Sequence, residues 1–171
     1  MKLLMVIVLI CAFTCPAVAN GHFCSGENAN LNCLKNNFSE LYSTNYGLFW
    51  NILHDAAQKC KVHKNISDVI AFMELSIVIK GNAEVSEFFN KICEELCVSS
   101  PGICFEALSK LNEEDRKSCL ERLRNPIYLP KPEIDSVFEK YQKIISLYFE
   151  RQVGGTGSVR STGGVDLSFK R

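Results

Sequence analysis

The chain is poor in the residues that most often do chemistry. It has three histidines and one tryptophan, and no surplus of either charge, with 19 Lys+Arg against 19 Asp+Glu. A balanced chain argues against a nucleic acid or an anionic membrane surface as the main partner. No G-x-S-x-G, H-E-x-x-H, phosphate loop or dinucleotide fingerprint occurs, so the common hydrolase, metalloprotease and nucleotide-binding signatures are absent. C-x-x-C is missing too, which removes the thioredoxin-type redox site. The apolar run over 3–13 falls well short of the ~20 residues that cross a bilayer. No stretch alternates apolar and polar residues as a half-buried strand does.

Cysteine, by contrast, is plentiful, with nine residues. How they are used depends on the start of the chain. Met1 to Ala19 has a basic opening at Lys2, the apolar run, Pro16, and Ala17-Val18-Ala19 as a small-x-small cleavage site. This pattern is that of a secretory signal peptide over 1–19. Removal of that segment takes Cys11, Cys15 and Lys2 with it and leaves a net charge of about −1. Seven cysteines then remain: Cys24, Cys33, Cys60, Cys93, Cys97, Cys104 and Cys119. In an oxidising compartment they form a disulfide framework. Seven is odd, so three bridges and one further thiol are expected, that thiol being buried or joining two chains as a disulfide-linked homodimer. Asn37-Phe38-Ser39 and Asn65-Ile66-Ser67 are glycosylation sequons, which suits a secreted, extracellular glycoprotein.

Hydrophobic spacing predicts an all-α fold, a disulfide-stapled bundle of about five to seven helices. The domain spans 20–152, and a disordered Gly/Ser-rich tail with five of the ten glycines spans 153–171. Leu31, Leu34, Phe38 and Leu41 make one stripe over 30–43. Leu48, Phe49, Ile52, Leu53, Ala56, Ala57 and Cys60 make a stronger one over 46–60. Ser67 is the expected N-cap of a helix over 68–80, apolar almost all round and so the most buried, with Gly81-Asn82 ending it. A helix over 84–97 follows, then a turn at "SSPG", a short helix over 104–111, and one capped by Asn112 that runs to about Arg124. Residues 125–132, "NPIYLPKP", read as a rigid extended linker. Pro132 then opens a long last helix over 133–152, with Ile134, Phe138, Tyr141, Ile145 and Tyr148 as its stripe.

Within this frame the cysteines are anchors. Cys93 and Cys97 share one helix face, one turn apart, and their parallel side chains disfavour a bridge between them. Each is expected to reach a different element. Cys104 can return to one of the two, Cys60 and Cys119 can tie in neighbouring helices, and Cys24 and Cys33 can bridge each other or pin the N-terminal arm. A zinc site is disfavoured, because the spacings are x3 and x6 and no histidine lies between Cys93 and Cys119. No cofactor or metal is expected.

His22 sits in the flexible start, His54 neighbours Asp55 at an angle that makes no orienting pair, and His63 lies in a polar loop. Solvated or helix-end histidine is the plain reading of each. Glu94-Glu95 and Glu113-Glu114-Asp115 read as solvated helix faces or starts. Trp50 reads as a core-edge aromatic, with a binding-surface aromatic as the alternative, and Phe88, Phe89 and Met73 as core. No enzyme is expected.

Two resemblances add to this reading. "CEELC" resembles the x3-spaced cysteine pair of insect odorant-binding proteins, which are secreted, helical and held by three disulfides; the arrival of Cys104 only six residues later departs from that family. "CSGENANLNCLKNNFSELY" and the late "CLERL" are similar to the secreted cysteine-rich all-helical domains of unknown function common in nematodes, over about a third of the chain. That resemblance implies secretion and a helical fold, and no activity. The expected function is that of a secreted, non-enzymatic binding protein, acting through a helical surface on an extracellular protein partner. The alternatives are a carrier of a small apolar ligand, or a venom, salivary or host-directed effector. Trimming of Lys170 and Arg171 by a carboxypeptidase is a further option for the dibasic end.

Overall fold

The computed structural model describes residue 24 and residues 26–141. The signal peptide expected over 1–19, Cys11, Cys15, His22, the tail expected over 153–171 and the part of the expected last helix beyond 141 lie outside the described residues. Among those described the fold is all helical. Seven α-helices run in the order α1 (Leu31–Asn36), α2 (Phe38–Thr44), α3 (Tyr46–Val62), α4 (Ile66–Met73), α5 (Ala83–Ser99), α6 (Pro101–Lys110) and α7 (Glu113–Arg124). The chain is helical again over 131–141.

Asparagine starts most of these helices. Asn30, Asn45, Asn65, Asn82 and Asn112 each accept a backbone N–H of the following first turn on their side-chain oxygen. Such a cap satisfies one of the amides a helix start leaves unpaired. For α4 the cap is Asn65, two residues before the expected Ser67, and Ser67 is the donor to it at 3.0 Å. The same residue type also breaks a helix. The continuous helix expected over 30–43 is two, because the Asn37 amide donates back to the Cys33 carbonyl at 2.9 Å. That side-chain bond offers the backbone an alternative to helical continuation.

The central apolar segment is as buried as its composition demands: Val69, Phe72, Met73, Leu75 and Ile79 are all fully enclosed. It is not one helix to Lys80. After Met73 the backbone tightens into successive turns, with Leu75 N–H on the Phe72 carbonyl (3.1 Å), Ser76 on Met73 (3.0 Å) and Lys80 on Ile77 (3.1 Å). Two causes coincide. Ile77, Val78 and Ile79 are consecutive β-branched residues, which crowd a helix. Buried Ser76 is also claimed by α7: its hydroxyl donates to Asp115 Oδ1 at 3.0 Å, and its carbonyl accepts from the Ser118 hydroxyl at 3.2 Å. Gly81, at φ +89, then reverses the chain in a conformation that side chains resist.

The proline of "SSPG" does not make a turn between helices. It occupies the first turn of α6, where its missing N–H costs nothing. Only Ser100 separates α5 from α6, and it terminates one and begins the other, accepting Cys104 N–H and donating to the Leu96 carbonyl. α4 packs on α6 at the centre, with α3 beside α4 and with α5 against both α6 and α7. α3 and α5 run parallel, since their paired positions advance together: Tyr46 with Glu84, Trp50 with Phe88, Lys61 with Glu95.

The linker over 125–130 is held in place by Glu94. The acid-rich pair was read as a solvated face; only Glu95 partly fits, paired with Lys61, while Glu94 is 1% exposed. Its carboxylate accepts the backbone N–H groups of Ile127 (2.9 Å), Tyr128 (2.9 Å) and Leu129 (2.7 Å). Downstream, Ile134 is fully buried and Phe105 receives Phe138 edge-on and Tyr141 face-on. We expect Glu94→Leu to lower stability by about 2–4 kcal/mol, since it strands three N–H donors that a charged acceptor had satisfied. Urea unfolding measures the loss, and amide exchange at 127–129 should accelerate in the variant before it does elsewhere.

Candidate functional site

The cysteines come apart into two sets. Cys24 and Cys33 form the one disulfide among the described residues, with Cα atoms 5.8 Å apart, and so pin the N-terminal arm to α1. Cys60, Cys93, Cys97, Cys104 and Cys119 are buried thiols. Three bridges were expected; the structure has one. The five thiols all reach into the same core, from α3, α5, α6 and α7. Burial pushes Cys60 and Cys119 up to about 12. Burial also lifts Cys93 well above the ordinary thiol value, while Cys104 is lifted first by its hydrogen bond with Cys97 and then by burial. Thiolate, the reactive form, is therefore scarce at neutral pH. Among the described residues no group of three or more His, Cys, Asp or Glu is disposed to hold a metal ion.

No catalytic arrangement emerges around the histidines described. His54 is packed against Trp50 and edge-on to Phe88 at 4.8 Å, and Asp55 turns away to pair with Lys59 at 2.7 Å. His63 is an exposed residue that caps the end of α3. Asp115, read as part of a solvated helix start, is 4% exposed and sits within the Ser76 network; Glu113 and Glu114 are exposed as expected.

Two surface features remain. The first is a cleft of about 330 Å³ lined by Lys80, Asn90, Ser118, Glu121, Arg122 and Asn125. Its lining is polar, and Arg122 is already committed, donating to Asn90 Oδ1 at 2.9 Å while lying 5.5 Å from the Phe89 ring centre. The cleft therefore does not suit an apolar ligand.

The second is a continuous aromatic row. Phe38 and Tyr42 on α2 meet Phe49; Tyr42 then touches Tyr46, Tyr46 touches Trp50, and Trp50 and His54 both pack on Phe88. Helical spacing of four residues builds it, as 38 and 42 on α2 and 46, 50 and 54 on α3 stand one turn apart. Phe49 is core, Trp50 and Phe88 are half-buried, and Tyr46 is 48% exposed. Glu84 fixes the exposed end. Its two carboxylate oxygens accept separate phenol protons, from Tyr42 at 2.7 Å and from Tyr46 at 2.6 Å. Tyr46, then Tyr42, hold the Glu84 carboxyl below the usual range, and the hydrogen bond to Glu84 raises both phenols. Sequence reasoning placed Trp50 between core edge and binding surface, and the row contains both. It missed Glu84, which lies 42 residues beyond Tyr42 and 38 beyond Tyr46 on another helix and gives no local signal of its partners.

The two sequons differ. Asn65 is exposed and uses only its oxygen, as the α4 cap. Asn37 is half-buried, and its amide nitrogen contacts both the carbonyl and the sulfur of Cys33.

Comparison with protein-family models, with curated proteins and with solved structures finds no match.

A pH dependence follows from the Glu84 clasp. A lowered carboxyl stabilises above its unfolded value and loses that contribution as pH falls through the folded one; a raised phenol does so below its unfolded value, near ~10, and loses it above. In Tyr46→Phe, the Glu84 titration followed by carboxyl NMR should move back up toward the ordinary range, and the Tyr42 phenol should remain raised.

Proposed function

We propose that the chain is a secreted, non-enzymatic binding protein, and that the aromatic row ending at Tyr46 is its contact surface for an extracellular protein partner. The observation that carries this reading is the Glu84 clasp. Tyrosine and tryptophan supply large contact area at low entropic cost, and they are enriched at protein interfaces. An exposed tyrosine already held by a carboxylate loses less freedom on binding than a loose one. The row also rests on α3 and α5, each seventeen residues long and anchored through the core, so the presented shape is stiff. Export is supported by the pattern over 1–19 and by the sequons, and the resemblance to secreted nematode domains points the same way.

The carrier reading has less to stand on. The most apolar segment, over 66–79, fills its own surroundings: Phe72 stacks on Phe89 at 5.2 Å, and both are fully buried. The cleft that is present is polar.

The test is capture from the extracellular fluid in which the protein is found. The wild type should retain a partner that Tyr46→Ala and His54→Ala each weaken by about tenfold or more, on the scale of a single interface anchor, while the circular dichroism spectra stay unchanged. Equal retention by both variants overturns the surface assignment. A stoichiometric apolar ligand in native mass spectra, displaceable by a fluorescent lipid, favours the carrier instead. Intact mass of the secreted form reports cleavage after Ala19 and any loss of Lys170 and Arg171.

A further inference from the structure

We propose that Asn65 is the sequon that carries an N-linked oligosaccharide, and that Asn37 stays bare because the fold has already spent its amide nitrogen. Glycosylation rests on the export proposed above; the geometry adds which of the two asparagines takes the sugar.

The two carboxamides are used in opposite ways. At Asn65 the oxygen accepts the Ser67 N–H at 3.0 Å, as the cap of α4. Oxygen and nitrogen stand on opposite sides of the amide plane, so the nitrogen is turned away from the helix, and it has no partner among the described residues. Lys64, at φ +49, turns the chain between α3 and α4, and Asn65 and Ser67 are both exposed beyond that turn. Replacing one N–H of Asn65 by a sugar breaks no bond of the fold and leaves the cap intact.

At Asn37 the nitrogen is the working atom. It donates to the Cys33 carbonyl at 2.9 Å and contacts Cys33 Sγ at 3.5 Å, so it faces the residue that closes the disulfide with Cys24. Asn37 is half-buried between α1 and α2, and the next residue, Phe38, packs edge-on against Phe49 at 5.1 Å. A sugar on that nitrogen competes with both contacts and needs the space that Cys33 occupies. A chain modified there is at a disadvantage in folding.

Position separates the two sites as well. Asn37 immediately precedes Phe38, the first ring of the aromatic row. Asn65 lies three residues beyond α3, at the end opposite Tyr46, and the seventeen residues of that helix span about 25 Å. Sugar at Asn65 thus stands off the far end of α3 and leaves the proposed contact surface uncovered.

In the transfer, the Asn65 nitrogen attacks the anomeric carbon of a lipid-pyrophosphate oligosaccharide. A nitrogen–carbon bond forms, the bond from that carbon to the phosphate oxygen breaks, the lipid pyrophosphate leaves, and the nitrogen gives up one proton.

The experiment expresses the full chain in cultured eukaryotic cells, recovers it from the medium and maps the sites after peptide N-glycosidase in heavy-oxygen water, which leaves a labelled aspartate where sugar was attached. Labelling at Asn65 and none at Asn37 is the expected result. Ser67→Ala keeps the capped N–H and Asn65→Asp keeps the capping oxygen; each should lose the whole mass of the glycan, whereas Ser39→Ala should lose none. Sugar at Asn37, alone or beside sugar at Asn65, or a secreted chain without sugar, would overturn the assignment. Retention in the cytosol instead sinks the export reading. In that case residues 1–19 are replaced by an established secretory leader, and the same mapping decides between Asn65 and Asn37.

Discussion

A buried carboxylate, with no opposing side-chain charge within salt-bridge reach among the described residues, organises the end of this fold. Glu94 is enclosed by α5 and its surroundings, where an unsatisfied charge costs several kcal/mol. Three successive backbone amides, from Ile127, Tyr128 and Leu129, converge on its two oxygens. The arrangement solves two problems together. The charge gains donors of fixed direction, as an anion does in a nest of N–H groups. The linker, whose prolines at 126 and 130 rule out helix and leave amides without local backbone partners, gains an acceptor. The exit direction of the chain after α7 follows from this contact, and with it the approach of residues 131–141 to Phe105.

A second set of buried polar atoms works in the same manner a helix away. Ser76 bonds to both Asp115 and Ser118 between the irregular stretch after α4 and the first turns of α7, and Arg122 donates to the Ser76 carbonyl and extends the set to Asn90. Regular helix would have satisfied the backbone of 74–80 internally. The observed turns leave carbonyls such as that of Ser76 open, and α7 supplies their donors. Half-satisfied networks of this kind are worse than an apolar core, which ties the irregular backbone and the polar face of α7 to each other: neither is stable without the other. The Asn112 cap belongs to this set as well, since it accepts from the Asp115 amide and donates to the Asp115 carboxylate.

The helices that were legible from residue pattern are those whose limits are written locally. α3, α5 and α7 have an apolar stripe, and asparagine, a strong capping residue, stands immediately before each. The burial of 69–79 was equally plain from composition. What escaped was set by partners distant in the chain. The end of α4 at Met73 depends on Asp115 and Ser118, about forty positions on. Glu94 and Glu95 are adjacent and identical in type, yet one is buried and the other faces Lys61; only the need of the proline-flanked linker for an acceptor distinguishes them. Of the aromatic row only Phe38, Phe49, Trp50 and Phe88 were read from the sequence, each singly; the step through Tyr42 and Tyr46, and Glu84 which joins the two tyrosines, were not. The break at Asn37 was local and readable, since asparagine competes with helix for backbone bonds, but the apolar stripe through Phe38 and Leu41 outweighed it.

The division between core and surface bears on where function can reside. Five thiols would ordinarily draw attention as nucleophiles or ligands. Here burial raises Cys60, Cys93 and Cys119 well above the ordinary thiol value, and Cys60 and Cys119 spend their protons on carbonyls of the α4 segment. A catalytic cysteine requires the reverse, a thiolate stabilised by a neighbouring cation or helix start and open to substrate. Most polar groups of the described interior are likewise occupied with one another, while Trp50 Nε1 and Ser100 Oγ are buried without a hydrogen-bond partner. What else remains uncommitted is at the surface, and there the side chains with the most contact area per rotatable bond are the aromatics at the α2–α3 junction. They stand beside α5, the helix that also carries Glu84, Cys93, Glu94 and Cys97. A change at the deep face of α5 is therefore transmitted to the presented row through one rigid element rather than through a loop, which couples the integrity of the core directly to the shape offered outside.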